Sequence, residues 1–105
     1  SEAVVIKRAG VEVTAEEQVV LARIRGILHA RNYLMLDYNV SEDKLAAASE
    51  VTPGLSGPTV SPLARDGWVA VRAMVPRKQA NHVMDELSAL GAQAILASDL
   101  RIARI

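Results

Sequence analysis

Few side chains in this sequence are spaced for chemistry. The two histidines, His29 and His82, fall near the end of one predicted helix and early in another, and neither has a Ser, Cys or carboxylate partner at a catalytic spacing. His82 reads as an ordinary exposed helix residue. His29 reads as a favourable charge near a helix C-terminus. Glu42-Asp43 and Asp85-Glu86 are adjacent pairs; neighbours on a helix diverge by about 100° and do not share a site. No metal-ligand cluster and no Gly-rich loop followed by Lys-Ser or Lys-Thr is present. Two positions remain. Asn39 ends a strand just before a helix start, and its amide can both donate and accept. Thr59 is expected to begin the neighbouring strand after the Pro- and Gly-rich run Thr52–Pro58, whose exposed N–H groups could meet a carboxylate. The two could lie close across a sheet edge. On residue pattern alone, turn chemistry, β propensity and a plain connector are the simpler account of Asn39, Thr59 and the loop.

The elements that would position them follow from periodicity. Ala3 to Arg8 reads as a short buried strand. Thr14-Ala15-Glu16-Glu17 has capping-box spacing, and Val20, Ile24, Ile27 and Leu28 recur behind it at helical spacing, so a helix is expected from Ala15 to Ala30. Asn32 to Val40 alternates, with Leu34, Leu36, Tyr38 and Val40 on one side and Tyr33, Met35, Asp37 and Asn39 on the other. Ser41 could cap a helix carrying Leu45, Ala48 and Val51. Thr59 to Leu63, flanked by donor-less prolines, suits a sheet edge, and Asp66-Gly67 signals a hairpin. In Trp68 to Val75, Val69, Val71, Ala73 and Val75 alternate with Trp68, Ala70, Arg72 and Met74. Pro76 suits a first helical turn. Ala80, Val83, Met84, Leu87 and Leu90 form a stripe that Gly91 would cap. Ala92 to Asp99 is the last strand, which the tail Leu100 to Ile105 could extend.

From Asn32 onward the order βαββαβ defines an α+β, ferredoxin-like domain. Its two helices cover one face of a four-stranded sheet. The other face, expected to carry Met35, Ala70, Met74 and Leu96 with Trp68 at one end, is apolar enough to mark an interface, and self-association through it is expected. Ser1 to Arg31 lies outside that unit.

The totals narrow the functions. The chain has 105 residues, enough for one small domain, and half are hydrophobic with little aromatic content, so the core is aliphatic. Twelve basic and twelve acidic residues cancel, which argues against nucleic acid or an anionic membrane as partner. There is no cysteine, so disulfides and thiolate metal sites are excluded; a cytoplasmic location fits. No apolar run approaches the ~20 residues of a membrane span. The chain opens without Met, almost directly into a strand, as a piece of a longer protein would.

Several stretches resemble the long-form ATP phosphoribosyltransferase family, whose members catalyse the first step of histidine biosynthesis. They are Ser1-Glu2-Ala3-Val4-Val5-Ile6, Tyr33 to Val40, Pro53-Gly54-Leu55-Ser56-Gly57-Pro58-Thr59-Val60-Ser61-Pro62-Leu63, Trp68-Val69-Ala70-Val71-Arg72, and Gly91 to Leu96. The Pro-Gly-Leu run leading to Trp-Val-Ala-Val is the specific part. The resemblance implies that residues 1–31 are the last strand and helix of a first catalytic domain, or its connector, and that residues 32–105 are an ACT-like regulatory domain. It implies allosteric feedback inhibition by L-histidine, bound at subunit interfaces near Asn39, Leu55, Ser56, Gly57, Thr59 and Ala94. The phosphoribosyl-pyrophosphate loop of the family has no counterpart, so no catalytic residues and no cofactor are expected in this stretch; the parent enzyme would use magnesium and assemble as a homohexamer. Some relatives of the family carry Asp where Asn39 stands, and Asn removes that charge. The alternative from another class is an assembly module that joins subunits and binds no small molecule.

Overall fold

The computed structural model describes residues 13–105, so the expected strand Ala3 to Arg8 lies outside the described residues. The described chain runs α1 (Ala15–Asn32), β1 (Tyr33–Ser41), α2 (Leu45–Val51), β2 (Thr59–Pro62), β3 (Trp68–Pro76), α3 (Ala80–Ala89) and β4 (Gln93–Asp99). Strand order in the sheet is β2-β3-β1-β4, all antiparallel, which is the ferredoxin-like topology. β1 and β3 occupy the centre, paired from Tyr33↔Pro76 to Ser41↔Trp68.

Local chemistry explains most of the ends. The Glu17 amide donates to Thr14 Oγ1 at 3.1 Å and the Thr14 amide donates to the Glu17 carboxylate at 3.3 Å, a complete capping box. α3 stops at Gly91, whose φ of +85° suits glycine, and the Ala92 amide closes the turn on Leu87 O at 3.0 Å. Gly67, at φ +78°, turns the β2–β3 hairpin. Short and exposed β2, ended by Pro62, forms one edge of the sheet as expected.

The core sits between the sheet and helices α2 and α3. Leu36, Tyr38, Val40, Val71 and Leu87 are almost fully buried there with Ala48, Val75 and Val83. Each large aliphatic side chain so removed from water contributes ~1.5–3 kcal/mol.

Three expectations need correction. Ser41 makes no side-chain cap bond: β1 runs through it to pair with Trp68, and the Glu42 amide at the next turn already donates to Gly67 O at 2.8 Å. Pro76 ends β3, where the last ladder position tolerates a missing donor, and stands as N-cap of a 3₁₀ turn, Arg77–Gln79, that precedes α3, so it lies one residue before the first helical turn and not within it. The tail does not extend β4. After Asp99 it turns toward α1, where the Ala103 amide donates to Gly26 O at 3.3 Å. Gly26 permits that approach, since a Cβ there would collide with the Ala103 carbonyl. Arg77 reinforces the join, its Nε donating to Arg31 O at 3.0 Å while Nη2 pairs with Asp99 at 2.9 Å. Val20 and Ile27 of α1 remain exposed.

Candidate functional site

The sheet face turned away from α2 and α3 is assembled by alternation. Odd-numbered residues of β1 and even-numbered residues of β3 point to it, and cross-strand register sorts them into rows. One row runs Leu96, Asp37, Arg72, Thr59 across β4, β1, β3 and β2. The next runs Gln93, Asn39, Ala70, Ser61. Ala70 contributes only a methyl group between Asn39 and Ser61, so the face is hollow there. The hollow is a cleft of about 480 Å³ lined by Asp37, Asn39, Thr59, Ser61, Arg72 and Ala94, with Ala70 and Leu96 supplying apolar surface.

Charge sits at its centre. Arg72 Nε donates to Asp37 Oδ1 at 2.8 Å, and the side chains are 61% and 33% exposed. Such a solvated pair adds at most ~1 kcal/mol to stability. Among the described residues, the two terminal nitrogens of Arg72 and Oδ2 of Asp37 have no other hydrogen-bond partner. The expected apolar face is thus polar in its middle. Its apolar end is also covered, because Arg65 stacks on Trp68 at 3.9 Å from the ring centre and donates to Gln93 Oε1 at 3.3 Å. Leu96, 62% exposed, is the large apolar side chain left bare.

A bulge shapes the β4 wall. Asp37 pairs with Leu96 but Asn39 pairs with Gln93, so Ala94 and Ile95 together stand opposite Tyr38. Ala94 takes φ +51°, a left-handed conformation that disfavours a residue with a Cβ by ~1–2 kcal/mol. Ile95 keeps its side chain against the core while Ala94 and Leu96 line the cleft.

Behind the cleft, Tyr38 anchors the strand that presents Asp37 and Asn39. Its hydroxyl lies 2.7 Å from Thr52 Oγ1, and Thr52 in turn donates to Ala48 O at 3.2 Å. Burial raises the Tyr38 phenol above its ordinary 10.0, and the hydrogen bond shared with Thr52 acts the other way. Sequence reasoning missed this link. Tyr38 and Thr52 are 14 positions apart, and the only local signal was a Thr one helical turn beyond Ala48.

Asn39, Thr59 and Ala94 therefore meet in one cleft. Thr59 is not on the strand next to Asn39: β3 lies between and the two sit in adjacent rows, so two strand spacings and two residues along the strand separate them, roughly 12 Å. Leu55 lines a different cavity, of about 200 Å³, with Tyr33, Thr52, Met74 and Val83, and Ser56 and Gly57 line neither. Sequence reasoning did not single out Asp37, Ser61 and Arg72, although alternation had already put Asp37 and Arg72 on this face. His82 pairs with Glu86 on the surface at 2.7 Å, and His29 lies beside the Tyr33 ring. Among the described residues no group of three or more His, Cys, Asp or Glu could hold a metal ion. No described helix is long and apolar enough to cross a membrane.

Residues 30–102 match the family model described as HisG, C-terminal domain. The chain belongs to this family. Over 104 residues, 99% of its length, it is 75% identical to an ATP phosphoribosyltransferase of Corynebacterium aurimucosum. It is 70% identical over its whole length to the enzyme of that name from Corynebacterium glutamicum, and 54% identical over 99% of its length to one from a Mycobacterium species. These matches cover 37–38% of the relatives' own lengths, so the chain spans little more than a third of each.

Proposed function

We propose that this HisG C-terminal domain is the histidine-sensing part of an ATP phosphoribosyltransferase, binding free L-histidine in the cleft on the open sheet face and transmitting feedback inhibition. The observation that carries the reading is the convergence of Asn39, Thr59 and Ala94 in one polar cleft of a family member. On this reading phosphoribosyl transfer belongs to the remainder of the parent chain, with its magnesium. This stretch then needs no catalytic residue, and residues 1–31 belong with the catalytic part.

Histidine offers a carboxylate, an ammonium group and an imidazole. The Thr59 hydroxyl can donate to the carboxylate, Asn39 can bond the imidazole, and the backbone around Ala94 is approachable because its side chain is small. Leu55, Ser56 and Gly57 lie away from the cleft of their own chain. In a homo-oligomer, sheet faces that meet would let the loop of a second copy close the pocket, with Leu55 against the apolar part of the ligand. A ligand that bridges copies binds the assembled state better than the separate one, and such a difference is what shifts an equilibrium between states. Couplings of this kind are typically worth ~1–3 kcal/mol.

Calorimetric titration of the chain with the twenty amino acids tests the proposal. Saturable heat with L-histidine alone is expected. Silence at millimolar concentration, with the chain folded and self-associated, would leave the assembly module as the function.

A further inference from the structure

We propose that Arg72 and Asp37 recognise the charged head group of a free α-amino acid, Arg72 taking the α-carboxylate and Asp37 the α-ammonium. This deepens the histidine reading above and rests on it. The two side chains lie side by side on the cleft's central row, joined by a single bond from Nε. That bond leaves the two terminal nitrogens of Arg72, the pair that meets a carboxylate in two parallel bonds, without a described partner. Thr59 follows Arg72 in the same row, so its hydroxyl can reach the same carboxylate. Asn39 lies two residues beyond Asp37 on the same face.

Charge balance favours a zwitterion. Asp37 and Arg72 cancel, so the cleft offers a plus and a minus at fixed spacing but no net field. A ligand with both charges satisfies both groups; an amine or a carboxylic acid leaves one ion of the pair uncompensated as it is covered, which is costly. A purely structural role explains less. β1 and β3 are already paired along their whole lengths, and a pair this exposed adds little to that ladder.

The test is titration of the chain with three probes: L-histidine, histamine, which lacks the carboxylate, and imidazolepropionate, which lacks the ammonium. The unaltered chain should bind L-histidine at least about tenfold more tightly than either analogue. Arg72→Gln should bring the histidine-to-histamine ratio close to one while leaving the ratio to imidazolepropionate. Asp37→Asn should do the converse. Arg72→Lys, which keeps the charge without the paired donors, should fall between Gln and Arg. A structural role predicts that each variant weakens all three probes by one common factor; that result, or unchanged affinities, overturns the assignment while the histidine reading stands. If the unaltered folded chain binds none of the probes, the histidine reading falls and this assignment with it. Circular dichroism and melting of each variant confirm the fold.

Discussion

β1 and β3 each serve two surfaces at once, and the surfaces are chemically opposite. Toward the helices, Leu36, Tyr38, Val40 and Val71 are sealed from water. One residue away along the same strands, Asp37, Asn39 and Arg72 line a solvated cleft. A two-residue period is enough to separate what stabilises the domain from what can bind a ligand. The separation is incomplete at two points. Tyr38 belongs to the covered face, yet its hydroxyl bond to Thr52 holds the strand segment between Asp37 and Asn39. Ala94 belongs to the cleft, yet its left-handed backbone is a cost to the fold as a whole.

The sharpest way to break the comparison is Leu36→Ala. It should lower the free energy of unfolding by about 3 kcal/mol by opening a cavity; in urea titrations the midpoint drops, while histidine affinity at temperatures where the variant is folded should not change. If affinity falls in step with stability, the two faces are not independent. Thr52→Val should cost about 1–2 kcal/mol, because the buried Tyr38 hydroxyl loses its short partner.

The same hydroxyl sets a pH dependence. The folded Tyr38 phenol titrates above its ordinary 10.0, so its neutral form is favoured by folding. That contribution is complete below pH 10 and is lost as pH rises through the folded value. Melting temperature should therefore decline at alkaline pH, with a smaller decline in Tyr38→Phe.

Thr59→Val probes the other face. Histidine binding should weaken by about 1 kcal/mol through loss of the hydroxyl, with stability changed by less than about 0.5 kcal/mol; unchanged affinity in calorimetry removes Thr59 from the site. Ala94→Gly is the smallest and tests the overlap between the faces. Relief of the left-handed backbone, partly offset by glycine's greater freedom when unfolded, should raise stability by about 0.5 kcal/mol in thermal melts. A loss would mean that the Ala94 methyl group packs usefully.

Much of this was legible without coordinates because it is local. The capping box at Thr14, the end of α3 at Gly91 and the in-out alternation of β1 and β3 each depend on residues within a few positions of one another. Even the open face was correctly peopled. The placement of Asp37 against Arg72 was not, although both were known to share that face, because facing each other depends on register between strands 35 positions apart.

Side-chain alternation and turn chemistry are properties of the chain alone, since neighbours on the backbone decide them. The bulge at Ala94, the distance from Asn39 to Thr59 and the departure of Leu55 from their cleft came only with the folded whole. Those depend on how a twisted sheet closes over one particular aliphatic core, and no short run of residues carries that information.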